Sequence, residues 1–313
     1  MNDRSGAERL GFLEGLRGIA IAVVVWYHLR IVSGFVVPGT DLFARAGFLG
    51  VDLFFFVSGF CIAYPYVRAG SQGLPPPRLG EYIRRRALKI VPSYVLALVV
   101  FGVIYRARFA SFGDEFAQLL AHLGFIHVWF PATFGSFSGP LWTLGVEVQF
   151  YVVFALLAPA FVRRPMTTYL ILVALSVTYR VTLGLTGLDT AFVWLNQLPA
   201  VLDVFGAGIL AATAFVRLRP HALVEYVPLA TGTALGVVAL VLVAIACLGS
   251  TTSSGGDDAG HRWLNAWRVA FGPILCAGTL GLAFGAPSLR TLASAPVLKW
   301  LSLVSYNAYL WNL

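Results

Sequence analysis

Nine stretches of the chain are long and apolar enough for an α-helix to cross a hydrocarbon core about 30 Å thick, which takes roughly 17 to 25 residues. They fall at 18–36, 47–66, 90–106, 142–162, 168–186, 199–216, 226–248, 264–285 and 298–313. Lipid offers no partner to a free backbone N–H or C=O, so open runs of this kind must be helices. The expected fold class is therefore all-α: a polytopic transmembrane helical bundle of about nine spans, with residues 1–313 as one domain. Composition points the same way. Of the residues, 58% are hydrophobic and only 12% are charged, far from the balance of a soluble domain. No polar insertion is long enough to fold separately.

Basic residues set the expected orientation. Arg4 and Arg9 precede the first run; Arg68, Arg78, Arg84, Arg85, Arg86 and Lys89 follow the second; Arg163 and Arg164 follow the fourth; Arg217 and Arg219 follow the sixth. Cytoplasmic loops carry the excess of Lys and Arg, which places the N-terminus in the cytoplasm. The alternation holds if 115–130, short and carrying His122 and His127, is an interfacial or re-entrant segment. TTSSGGDDAG at 251–260 reads as a flexible external loop. The opening MNDRSGAERLGF is too polar for a secretory leader, so the first run is expected to be retained. The last run stops at Trp311, Asn312 and Leu313 without a polar flank, and the native chain is expected to continue beyond it.

The net charge of +8 is the signature of cytoplasmic loops, and no aromatic-basic module for nucleic acid is visible. Cys61, Cys247 and Cys276 all lie in apolar stretches, as packing thiols do, and no metal site is expected.

Burying a charge in a bilayer is costly, so polar residues inside the apolar runs carry the functional signal. The first is the pair Arg17 and His28 in LEGLRGIAIAVVVWYHL. Eleven helical steps of about 100° bring them to one face, roughly 16 Å apart along the axis. The second is Asp52 in GFLGVDLFFFVSGF, expected at nearly the depth of His28. The third is RRRALKIVPSY at 84–94, where Arg85, Arg86 and Lys89 open a helix with Pro92 in its first turn. The fourth is SGPLWTLGVEVQFYVVF at 138–154, with Trp142, Glu147, Gln149 and Tyr151.

These stretches resemble the acyltransferase-3 family of integral-membrane O-acyltransferases. The family's Arg-x10-His helix after LxGLRG is matched by LEGLRG and His28, and its GVDLFFxxSGF helix at 50–60. Its RRxxRIxPxY loop is matched at 85–94 with Lys89 for arginine, and its WSLxVExxFY helix at 142–151 with Thr143 for serine. Its SYxxYLWH motif is matched at 305–312, with Asn312 for histidine. The family's arginine in the stretch reading LPAVLDVFGAG here is replaced by Val201, and its usual tenth span would lie beyond Leu313.

The resemblance implies acyl transfer, most often acetyl, from acyl-CoA to a hydroxyl of a glycan, glycolipid or glycosylated metabolite at the bacterial plasma membrane, with no permanently bound cofactor. Histidine suits the removal of a hydroxyl proton near neutrality, so His28 is the candidate base or, alternatively, a transient acyl acceptor. Asp52 or Glu147 would orient it, and Arg17 would fork onto a phosphate or carbonyl oxygen. Arg85, Arg86 and Lys89 are candidates for the phosphates of CoA, and Trp142 and Tyr151 for substrate contacts. His122, His127 and His261 read as ordinary loop or interface residues. The rival reading is a proton-coupled transporter or flippase with Arg17, His28, Asp52 and Glu147 as its relay.

Overall fold

A computed structural model describes residues 10–219 and 227–311; Arg4, Arg9 and Asn312 lie outside the described residues. The long helices run as α1 Gly11–Ser33, α2 Gly50–Ser71, α3 Leu79–Ile104, α4 Phe112–Leu123, α5 Leu141–Arg163, α6 Pro165–Thr186 and α7 Leu198–Leu218. They continue as α8 Val227–Ser254, α9 Gly256–Phe284, α10 Pro287–Ala293 and α11 Pro296–Leu310. Single helical turns at Asp41–Arg45 and Phe192–Leu195 sit between them. Among the described residues there is no strand. Eight of the helices, α1 to α3 and α5 to α9, are long and apolar enough to cross a membrane. The chain is a polytopic membrane protein. The ninth apolar run holds α11, which extends for 15 described residues.

Helices α2 and α7 form the centre of the bundle. They approach closely because each offers a glycine where the other's backbone passes. A Cβ on Gly59 would come 2.2 Å from the Phe205 carbonyl oxygen, and one on Gly208 would come 2.0 Å from that of Phe56. Small residues at a crossing let van der Waals packing and backbone proximity replace the hydrophobic drive that lipid does not supply. Around this crossing Phe205 stacks on Phe150 at 3.8 Å and on Phe55 at 4.7 Å. Helix α1 packs on α2 and α11, and α3 joins α11 through a 2.8 Å hydrogen bond from the Tyr306 hydroxyl to the Ile90 carbonyl.

Two expectations from sequence are corrected. The stretch 251–260 is a tight helical hairpin: α8 and α9 run to either side of Gly256, whose φ of 70° makes the turn. Its small hydroxyl residues do not behave as loop residues because they bond back along the helix. Thr252 and Ser253 donate to the Gly249 carbonyl, and Ser254 donates to that of Ser250. The second correction concerns α3. It starts at Leu79, directly after Pro75, Pro76, Pro77 and the extended Arg78, so Pro92 lies deep inside the helix. The proline triplet blocks helix before it, and its end sets the start. Arg85, Arg86 and Lys89 therefore occupy the second and third turns. The segment from α4 to Trp129 does not qualify as a span.

Candidate active site

Five helices turn polar side chains into one cavity. Each does so by helical spacing: Ser58 and Cys61 on α2, Arg86 and Lys89 on α3, Thr143, Glu147 and Tyr151 on α5, and Ser305, Tyr306 and Tyr309 on α11, facing Arg17 of α1. Residues three or four apart share a helix face, so each of the other four helices contributes a polar stripe, while α1 contributes Arg17 alone. The lining of α2 reaches from Val51 to Cys61, ten residues or roughly 15 Å.

The charges in the cavity are unequal. Arg17, Arg86 and Lys89 face a single carboxylate, Glu147. Among the described residues none of these four makes an ion pair. Glu147 instead accepts from two hydroxyls at one oxygen, Oε1: Ser58 at 2.6 Å, and Tyr151. Arg86 is half-buried, its guanidinium 5.2 Å from the centre of the Tyr151 ring and 5.9 Å from that of Tyr82, in the range of cation–π attraction. Arg17 donates to the Ser305 hydroxyl at 3.5 Å. Lys89 stands at the solvent-exposed rim.

A second charged cluster is closed. Arg180 of α6 donates to both carboxylate oxygens of Asp203 on α7, at 3.2 and 2.6 Å, and to the Ala200 carbonyl at 2.6 Å. Arg268 of α9 lies 2.9 Å from the Asp52 carboxylate and donates to the Leu195 carbonyl and the Asn196 side chain. All four charged side chains are at most 3% exposed.

The structure thus brings together Arg17, Arg86, Lys89, Glu147 and Tyr151, and sets four other candidates apart. Asp52 lies outside the cavity lining, its carboxylate 2.9 Å from Arg268. Arg85 points outward, its side chain 74% exposed and paired with Glu81 one turn earlier. Trp142 is packed among Phe55, Phe134 and Phe192. His28 lies further along α1, where Tyr27 meets Phe48 of the segment before α2. Its Nδ1 is 2.9 Å from the Val24 carbonyl. A carbonyl only accepts, so Nδ1 carries a proton.

Arg180, Asp203, Arg268 and Ser58 are the polar groups the sequence reading passed over. The signal was present for three of them, since Arg180, Asp203 and Arg268 each interrupt an apolar run as Asp52 does. Arg180 also bears on Val201: the guanidinium reaches this stretch from the neighbouring helix, beside a valine that is itself fully buried. His122 and His127 prove to be fully buried, stacked 4.0 Å apart with rings nearly parallel. Burial pushes them down to about 4 and about 3. Among the described residues no three His, Cys, Asp or Glu side chains converge as a metal shell.

A family profile described as an acyltransferase domain matches residues 10–313. The chain belongs to the acyltransferase-3 family. It is 26% identical to a peptidoglycan O-acetyltransferase of Listeria monocytogenes, across 96% of this chain and 48% of the relative. It is 28% identical to a putative membrane-bound transacylase of Komagataeibacter xylinus, across 50% of this chain and 39% of the relative. A putative peptidoglycan O-acetyltransferase of Bacillus subtilis is 28% identical across 45% of this chain and 22% of its own length. The chain spans about half or less of these relatives. No solved structure matches it.

Proposed function

We propose that this chain moves an acyl group, acetyl in the favoured reading, from acyl-CoA to a hydroxyl of a glycan or glycosylated acceptor. The observation that carries the proposal is the cavity in which three cations face one carboxylate. Its excess of positive charge suits the phosphates of CoA, and guanidinium forks suit phosphate geometry. The same face of α1 that presents Arg17 carries His28 roughly 16 Å further on, a distance that an extended pantetheine arm covers. The Listeria relative, a peptidoglycan O-acetyltransferase, and its putative Bacillus counterpart support acetyl as the group and a glycan as the acceptor.

In this mechanism His28 Nε2 takes the proton of the acceptor hydroxyl as its oxygen attacks the thioester carbonyl. The C–S bond then breaks, the ester forms, and the CoA thiolate takes up a proton. In the alternative, Nε2 itself attacks and holds the acyl group until the hydroxyl displaces it. The transporter reading finds no support, because Asp52 is closed onto Arg268 and does not join Glu147 and Arg17 in one relay. The positive-inside pattern supports a cytoplasmic N-terminus, with the donor entering from that side. In intact cells, an impermeant maleimide should then label a cysteine at Ser253 and not one at Ser71; the reverse would invert the orientation.

The deciding assay follows thiol release and acyl transfer from labelled acetyl-CoA by purified protein, with cell-envelope glycan as acceptor. His28→Ala should lower the rate about 10²- to 10⁴-fold with unchanged thermal stability in detergent. Near-normal transfer by that variant would remove His28 from the reaction.

A further inference from the structure

Glu147 is surrounded by cations it does not touch. It shares the cavity with Arg17, Arg86 and Lys89 and pairs with none of them, while two hydroxyls hold the same oxygen. In a site of low dielectric a carboxylate is drawn strongly to a guanidinium or ammonium nearby. Left to itself, Glu147 would close onto one of them. One of the hydroxyls comes from α5 itself, one turn on, and the other reaches across from α2, so the carboxylate is tied on two sides.

We infer that Ser58 and Tyr151 are positioning residues that hold Glu147 away from Arg17, Arg86 and Lys89, keeping those cations available for an anionic ligand. The inference rests on the proposed reading of the cavity as the donor site and adds what keeps it open to phosphate. A cation already paired with Glu147 would have to break that pair before meeting a phosphate, and the cost would come out of affinity for the donor. Neither hydroxyl touches the thioester in this account; both act through Glu147.

The test measures binding of desulfo-CoA, the coenzyme without its sulfur, by calorimetry on detergent-solubilised protein, so that no chemistry intervenes. Ser58→Ala should weaken binding roughly tenfold, of the order expected for one charge-assisted contact, and Ser58→Thr, which keeps the hydroxyl, should restore it. Glu147→Gln should bind at least as tightly as the unaltered protein. In the Glu147→Gln background Ser58→Ala should have no effect, because no charge remains to be held back. A purely structural role for Ser58 predicts the opposite, a loss that persists with or without the charge of Glu147. If the unaltered protein fails to bind desulfo-CoA, the donor reading falls and the inference with it. If it binds, and Ser58→Ala binds equally well or is weakened equally in both backgrounds, the inference alone is overturned. Tyr151→Phe gives a second, independent reading of the same coupling should Ser58→Ala fold poorly.

Discussion

In the cluster formed by Arg180, Asp203, Asp52 and Arg268, two cations meet two carboxylates and all four side chains are sealed from solvent. In the cavity, Arg17, Arg86 and Lys89 share the lining with Glu147, and among the described residues none of them makes an ion pair. Both clusters lie inside one helical bundle and both are expensive to place there. The difference is in what offsets the expense. The closed cluster balances its charges, and its guanidinium groups also donate to the Ala200 and Leu195 carbonyls and the Asn196 side chain. The cavity carries a surplus of positive charge at a solvent-reached rim, an arrangement whose natural complement is a bound anion. A charge buried for structure and a charge buried for function thus look alike in sequence and differ in their partners.

Truncating one member of a closed pair should have the largest effect. Arg268→Ala would leave Asp52 uncompensated, and Asp203→Ala would do the same to Arg180. Each should cost about 3–5 kcal/mol and appear as lost folding yield or a large fall in melting temperature. Replacing both partners, as in Arg180→Leu with Asp203→Leu, should restore much of the loss, because an apolar pair leaves no buried charge uncompensated. Lys89→Ala, by contrast, should leave the melting temperature nearly unchanged. Equal destabilisation by Arg268→Ala and Lys89→Ala would mean that the two clusters are not different in kind.

That distinction also marks where sequence stops being legible. Spans could be read because hydropathy is a local property, and nearly every apolar run became a helix in place. Candidate polar positions could be read too, since any charge within such a run is conspicuous. Partnership could not. From sequence Asp52 is expected at nearly the depth of His28, yet the Asp52 carboxylate meets Arg268 more than two hundred positions later in the chain, and nothing in either local stretch encodes that. The hairpin at Gly256 failed for a different reason: serine and threonine count as loop formers by composition, but their hydroxyls can close onto carbonyls one turn back and remain helical.

His122 and His127 are a buried pair of a third kind, neutral rather than charged. They are fully buried and, among the described residues, make no ion pair, the Phe137 ring standing against His122 and α5 passing His127 at Gly145. Their folded values of about 4 and about 3 lie below the ordinary value of 6.5. The unfolded chain therefore binds protons more readily. Their contribution to stability is complete above pH 6.5 and is lost as pH falls from there towards 4. The loss should be about 1.4 kcal/mol per pH unit for each histidine, seen as a falling melting temperature in detergent. His122→Gln together with His127→Gln should flatten that slope between pH 6.5 and 5. An unchanged slope in the double variant would assign the acid sensitivity to other groups.

The smallest effect separates two adjacent arginines that sequence alone treats as equivalent. Arg85 is mostly in solvent and paired with Glu81 one turn away, a geometry worth under about 1 kcal/mol. Arg86, one position on, is turned by about 100° and lies against Tyr82 and Tyr151 at the cavity wall. If the phosphates of the donor are met inside the cavity, Arg86→Ala should raise the KM for acyl-CoA roughly tenfold or more, the worth of one charge-assisted contact. An acyl-pantetheine donor lacking the nucleotide should be used equally well by both forms. Arg85→Ala should change neither KM by more than about twofold, since a screened surface charge contributes little at physiological ionic strength. The informative quantity is the ratio of the two effects, because both substitutions remove the same charge from the same helix. If Arg85→Ala raises the acyl-CoA KM as much as Arg86→Ala does, the phosphates are met by the outer face of α3, and the unpaired charges of the cavity need another explanation.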